Sequence, residues 1–185
     1  MTACAWLSLA PAHAGAPFLL SEWPAAAPKP GFSLIDGDGH TRTLKNYQGR
    51  LAIVFFGFTR CPDVCPTELF KLAQVILKLG NAASAVQVLF VSLDPERDSP
   101  EVVKAYVAAF NPTFIGLTGS TAAINAAAAS FSVQFAKIPT GNDSYTIDHS
   151  TGTYVMDRRG RLRLVGTLST GVDDWVHDLT ILAAE

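Results

Sequence analysis

Two strongly apolar segments, separated by a segment of helical periodicity, dominate the first half of the chain. Residues 51–58 carry no charge and show no alternation, which is typical of a strand covered on both faces. Residues 86–93 form a second strongly apolar segment. Between them, apolar residues recur at helical spacing: Leu69, Leu72, Ala73, Ile76 and Leu79. The pattern therefore predicts a strand, a helix with one buried face and a second buried strand.

The rest of the chain continues this alternation of strands and helices. The turn signal Asp36-Gly37-Asp38-Gly39 lies between two alternating segments and predicts a β-hairpin. Ser99 followed by Pro100 predicts the start of a second helix. The later predicted elements are a strand at 113–117, a helix at 120–130, a strand at 131–135, a polar loop at 139–148, a hairpin at 153–165 and a helix at 173–183. The predicted fold class is α/β, with a central mixed sheet flanked by helices and an added N-terminal β-hairpin.

The N-terminal residues differ in composition from the rest. Residues 1–14 combine an apolar stretch with Ala12-His13-Ala14, which is typical of a signal peptide and its cleavage site. Residues 15–30 are rich in alanine and proline and predict a mobile linker. We therefore expect the remnant of an export signal at 1–14, a linker at 15–30 and one domain at 31–185, in an exported protein.

Charge and cysteine content narrow the function classes. The chain has 185 residues, a formal net charge of −2 and no run of basic residues, which argues against nucleic acid as a partner and against a polybasic membrane patch. No stretch free of charge and proline is long enough to predict a transmembrane helix. Three cysteines are too few for a disulfide-rich scaffold, and Cys4 falls in the expected signal remnant.

The remaining cysteines, Cys61 and Cys65, lie where the first buried strand ends and the following helix begins. Pro66 directly follows the second cysteine and suits a first helical position. The free N–H groups and dipole of a helix N-terminus favour an anion, so we expect either cysteine to ionise readily. A thiolate is both the nucleophile of disulfide exchange and a soft metal ligand. A small structural disulfide or two inert core cysteines remain the alternatives.

The histidine of Asp148-His149-Ser150 is the candidate third ligand. A strand that delivers a cysteine pair to a helix is the thioredoxin-like arrangement, in which a proline on a later strand faces the cysteines. Here His149 takes that place, at the predicted start of the last hairpin. Two thiolates and one imidazole suit Cu(I) or Cu(II), whereas zinc usually takes a fourth ligand. A structural histidine is the other interpretation.

Three motifs, in order, resemble those of the Sco/SenC copper chaperones of cytochrome c oxidase assembly. They are Gly57-Phe58-Thr59-Arg60-Cys61-Pro62-Asp63-Val64-Cys65-Pro66, Ser92-Leu93-Asp94-Pro95-Glu96-Arg97-Asp98 and Asp148-His149-Ser150. The resemblance implies a thioredoxin-like fold that binds one copper ion through Cys61, Cys65 and His149. It implies delivery of copper to the dinuclear copper site of the oxidase. It also implies a periplasmic or membrane-associated protein that faces the periplasm, with the copper-binding subunit of cytochrome c oxidase, and other copper chaperones, as partners.

Two neighbouring sets of residues have two interpretations each. Asp148 either orients His149 and tunes the site or is a turn residue at the strand end. Asp94, Arg97 and Asp98 form either a structural ion-pair and capping cluster or a docking surface.

For the function, the alternative to copper transfer is a thiol–disulfide oxidoreductase in which Cys61 and Cys65 form the redox pair. A peroxidase is a third and weaker option. His149 distinguishes the first two functions, because copper binding needs it and disulfide exchange does not.

Overall fold

A computed structural model describes residues 18–24, 27 and 29–185 of the chain. Within these ranges the chain forms strands and α-helices with one short 3-10 helix before β4 and another before β5. The strands are β1 (Ser21–Glu22), β2 (Ser33–Asp36), β3 (Thr41–Thr43), β4 (Leu51–Gly57), β5 (Val86–Ser92), β6 (Ile115–Thr118), β7 (Phe135–Gly141), β8 (Ser144–His149), β9 (Thr153–Met156) and β10 (Leu162–Gly166). The helices are α1 (Val64–Leu79), α2 (Pro100–Ala108), α3 (Thr121–Ser130) and α4 (Val172–Ala184).

The main sheet is mixed and has the order β1-β10-β9-β4-β5-β6-β2-β3. Strands β4, β5 and β6 run parallel, while β9 pairs antiparallel with β4 and β2 pairs antiparallel with β6. The predicted α/β, thioredoxin-like fold with a central mixed sheet is therefore confirmed. Strands β2 and β3 pair as the predicted N-terminal hairpin.

The central strand β4 is buried along its whole length because helices cover both faces of the sheet. Consecutive side chains of a strand point to opposite faces. Phe55 packs near Phe90 on one face, whereas Phe56 packs near Phe131, the residue that ends α3, on the other. This burial fixes β4 in the sheet, so its carboxyl end is a rigid support for the cysteines that follow.

Two predicted boundaries are wrong, and both bear on the site. Helix α1 begins at Val64, so Pro66 is its third residue and not its first. The strand predicted at 131–135 begins only at Phe135, and most of the loop predicted at 139–148 belongs to the β7–β8 pair, a two-stranded sheet separate from the main one. The hydrophobic pattern missed β7 because nearly all of its residues are exposed. Its turn uses Asn142 and Asp143 with positive φ angles of 50° and 55°.

Part of the predicted linker lies on the domain. Leu20 is buried, and β1 pairs with β10. The backbone N–H groups of Leu19 and Leu20 donate hydrogen bonds to the buried carboxylate of Asp178. The division of the chain at residue 30 stays a prediction, and the predicted signal remnant, including Cys4, lies outside the described residues. In the described part of the chain, no helix has both the length and the hydropathy needed to cross a membrane.

Candidate metal centre

Cys61 and Cys65 lie on the connection between β4 and α1, as predicted. Both are free thiols. The backbone N–H of Cys65, in the first turn of α1, donates a hydrogen bond to Cys61 Sγ over 3.4 Å. The Cys61 sulfur thus accepts a hydrogen bond from a backbone N–H in the first turn of the helix, where N–H groups have no partner within the helix. The two sulfur atoms therefore belong to one compact turn at the carboxyl end of the central strand.

The last residue of β4, Gly57, makes room for this turn. A Cβ atom at residue 57 would lie 2.7 Å from Cys65 Sγ and 2.9 Å from an edge carbon of Phe90. Contacts below about 3 Å between carbon and sulfur or carbon are repulsive, so only glycine fits here without displacement. The sequence Gly57-Phe58 thus continues the apolar strand and at the same time allows Cys65 to pack directly on it.

The two cysteines differ in exposure, which corrects one expectation. Cys65 is fully buried, whereas Cys61 is partly exposed. Burial raises the pKa of the Cys65 thiol, and a charge on Cys61 would raise that pKa further. The expectation that either cysteine ionises readily at the helix start is therefore wrong for Cys65, because loss of water around the sulfur outweighs the effect of the helix N-terminus.

His149 is the last residue of β8. The prediction that it begins the closing hairpin is therefore wrong. Its ring meets the ring of Phe58 edge-on, with 6.2 Å between the centroids. Its Nδ1 atom lies 2.9 Å from the carbonyl oxygen of Ser150. A surface groove of ≈ 240 Å³ is lined by Cys61, Asp148 and His149 together. The β7–β8 pair therefore brings His149 to the same groove as the more exposed cysteine.

The three predicted ligands are near one another but do not form a closed site. Among the described residues, the group of metal-ligating side chains whose ligand atoms all lie within 4.8 Å of one another is Asp36, Asp38 and His40, at the turn between β2 and β3. Cys61 and His149 line the groove, while Cys65 is buried and does not line it. At least one of the three ligand atoms must therefore move towards the others before all three can bind one ion.

Asp148 lines the same groove with an exposed side chain. Its backbone pairs with that of Ala136 in the β7–β8 sheet. The role that the sequence suggested for its carboxylate, to orient His149, stays a prediction.

Asp94, Arg97 and Asp98, which the sequence grouped as one cluster, form two separate supports in the structure. The first is Asp98, whose buried carboxylate accepts hydrogen bonds from the Thr59 N–H at 3.0 Å, the Thr59 hydroxyl at 2.6 Å and the Ser92 hydroxyl at 2.6 Å. Thr59 lies in the connection that leads to Cys61. Asp98 therefore fixes the segment before the cysteine pair to the end of β5.

The second support holds the β7–β8 pair. Asp94 is fully buried; it pairs with Arg97 and accepts a hydrogen bond of 2.7 Å from the Tyr145 hydroxyl. The Arg97 guanidinium donates to the Tyr145 carbonyl oxygen at 2.9 Å and lies 3.7 Å from the centroid of the Tyr145 ring. The structural interpretation of Asp94 and Arg97 is thus supported. Sequence reasoning missed Tyr145, because no local pattern links it to a loop 51 residues earlier.

Comparison with known proteins agrees with this geometry. The family model described as SCO1/SenC matches residues 22–182, which is most of the chain. The chain belongs to the SCO1/SenC family. It is 40% identical over 132 residues to a SCO2-like protein of Rickettsia prowazekii, covering 70% of this chain and 64% of that one. It is 46% identical over 126 residues to the mitochondrial SCO1 homolog 1 of Arabidopsis thaliana, covering 68% of this chain and 38% of that one.

Solved structures of the family resemble this fold closely. The structure of Bradyrhizobium japonicum ScoI with copper bound superimposes with a TM-score of 0.77 at 39% identity, covering 83% of this chain and 98% of that one. The match with the Rickettsia and Arabidopsis relatives, in contrast, spans less than two thirds of their length.

Proposed function

We propose that this protein is a copper chaperone that binds one copper ion through Cys61, Cys65 and His149. The observation that carries the proposal is the groove that Cys61 and His149 line together, with the backbone N–H of the buried Cys65 bonded to the Cys61 sulfur. Two sulfur donors and one imidazole form a soft ligand set that suits Cu(I) and is usable by Cu(II). The copper-bound ScoI of Bradyrhizobium japonicum, 39% identical to this chain, supports copper as the metal.

The same groove suits transfer of the ion as well as binding. Cys61 is partly exposed and His149 is near the surface, so an incoming ligand of a partner can reach an ion held between them. An exposed site with only three protein ligands would permit exchange of a ligand with a partner. By family resemblance, we propose the copper-binding subunit of cytochrome c oxidase as the recipient, met on the periplasmic side of the membrane.

The test is a competition titration of reduced protein with Cu(I) and a chelator of known affinity, without oxygen. We expect one tightly bound equivalent, and we expect His149→Ala to weaken binding by about 100-fold or more, because even the hydrogen-bond partners of metal ligands are worth roughly 10–100-fold. The matched control is His40→Ala. Ligand atoms of His40, Asp36 and Asp38 all lie within 4.8 Å of one another, so His40 would carry any adventitious binding at that turn.

Two results would contradict the copper proposal. One is a titration in which His149→Ala and His40→Ala bind copper as tightly as the unchanged protein. The other is a loss of binding in His40→Ala alone, which would move the ion to the β2–β3 turn.

The difference in exposure between the two cysteines favours a second candidate function, thiol–disulfide exchange. The partly exposed Cys61 sulfur can attack a partner disulfide and form a mixed disulfide, which Cys65 then displaces by forming the Cys61–Cys65 disulfide. The partner leaves with two thiols. The His149→Ala variant separates the functions, because it should keep reductase activity towards a disulfide substrate while it loses tight copper binding.

A further inference from the structure

The end of the sheet that lies away from the cysteines collects basic side chains. Strand β9 runs antiparallel to β4, with Met156 opposite Ala52, so the β9–β10 turn lies beyond the start of β4. Cys61 follows the other end of the same strand. Seven residues at about 3.3 Å each separate the two ends by roughly 20 Å.

Six cations define this basic end, although no run of basic residues marks it in the sequence. Arg158, Arg159 and Arg161 line one groove beside the turn. Arg50 reaches the carbonyl oxygen of Val86 at the start of β5, and the N–H of Gly49 donates to the carbonyl oxygen of Arg158. The full set is Lys29, Arg50, Arg158, Arg159, Arg161 and Arg163.

Three carboxylates lie among these cations and offset only half of their charge. Asp157 pairs with Arg161, and Glu185 pairs with Arg163 at 2.5 Å. Glu22 lines a neighbouring groove with Arg161 and Arg163. Six cations against three carboxylates leave this end with a formal charge of +3, in a chain whose net charge is −2. This end is therefore more positive than the chain as a whole.

Arg158 and Arg159 are the cations that are available to a partner. Both are exposed at the tip of the β9–β10 turn, and no carboxylate in the described ranges 18–24, 27 and 29–185 forms an ion pair with either side chain. The segments outside those ranges contain no Asp or Glu. Guanidinium groups bind phosphate in a two-pronged geometry, so this tip suits phosphate groups presented on a surface.

We infer that the basic end docks this domain onto an anionic phospholipid surface. The recipient of copper must reach the groove at the opposite end of the sheet, so it does not account for the basic end. A domain held by Arg158 and Arg159 would present Cys61 and His149 away from the bilayer. This orientation rests on the proposed transfer function, but the docking itself does not.

The test measures binding of the full chain to vesicles by co-sedimentation. The probes are vesicles of phosphatidylglycerol and phosphatidylcholine in equal parts, beside vesicles of phosphatidylcholine alone. We expect binding to the anionic vesicles only, reversed by 0.5 M NaCl because salt screens exposed charges. Arg158→Gln/Arg159→Gln should weaken that binding about tenfold or more, since each basic residue near an anionic surface contributes on the order of 1 kcal/mol.

A matched variant controls for net charge. Lys78→Gln/Lys104→Gln removes the same two charges from exposed lysines outside the basic end, which pair with Asp173 and Asp38. It should change vesicle binding less than twofold. Equal binding to both kinds of vesicle, equal loss in both double variants, or no binding to anionic vesicles would overturn the inference. Copper titration of the arginine variant should be unchanged, so failure of the docking and failure of the copper site are separate results.

Discussion

The two halves of the candidate metal centre are supported in different ways. The cysteine half belongs to the core: Cys65 is fully buried, and Asp98 ties the segment before Cys61 to the end of β5. The histidine half is the β7–β8 pair, a separate sheet that is largely exposed and is held through Asp94, Arg97 and Tyr145. The comparison teaches that the sulfur donors are positioned by the packed core, whereas the imidazole is positioned by side-chain contacts to a largely exposed pair of strands.

If Asp98 fixes the cysteine half, substitution of Asp98 should have the largest effect on the free energy of unfolding. Asp98→Ala leaves the Thr59 N–H and the hydroxyls of Thr59 and Ser92 without their acceptor inside the protein. A buried polar group without a partner costs about 1–3 kcal/mol, so we expect unfolding free energy to fall by roughly 3 kcal/mol or more. Urea denaturation followed by circular dichroism measures it, and the Cu(I) titration should show weaker binding.

The control for Asp98 is an aspartate in an exposed ion pair. Asp173→Ala breaks the pair with Lys78, and its side chain is 79% exposed, so we expect a change below about 1 kcal/mol. Similar losses from the two variants would show that Asp98 is not a special support of the cysteine turn.

Gly57 tests the packing of the same half. In Gly57→Ala the new methyl group would lie 2.7 Å from Cys65 Sγ and must displace the sulfur or Phe90. Excess volume in a packed core costs about 1–3 kcal/mol, and a displaced Cys65 should also weaken Cu(I) binding. Gly31→Ala is the matched control, because a Cβ there meets no atom within 4 Å. If both variants bind copper alike, the close contact at Gly57 does not position the ligand.

The cysteine half was predictable from sequence to a degree that the histidine half was not. A continuous apolar strand that ends in Cys61 is a local pattern, so β4 and the start of α1 were placed within two residues. The β7–β8 pair has no such pattern, since its exposed strands show no alternation, and its tether joins Tyr145 to a loop far away in the chain. The basic end escaped prediction for the same reason, because only folding brings Arg50 beside the β9–β10 turn.

The prediction with the smallest expected effect concerns the hydrogen bond between Tyr145 and Asp94, which helps to hold the histidine half in place. Tyr145→Phe removes the hydroxyl that donates to Asp94 at 2.7 Å, and Tyr106→Phe removes a buried hydroxyl that has no hydrogen-bond partner among the described residues. Loss of a hydrogen bond that is present in the folded protein lowers the unfolding free energy by about 1 kcal/mol. Removal of a buried hydroxyl that has no partner leaves the unfolding free energy unchanged or raises it slightly. We therefore expect Tyr145→Phe to lower the unfolding free energy and to weaken Cu(I) binding a fewfold, while the alkylation rate of Cys61 stays unchanged. Tyr106→Phe should leave the unfolding free energy the same or higher. Weaker copper binding with an altered alkylation rate of Cys61 would show that the two halves are coupled, and the interpretation that they are supported separately would then be wrong.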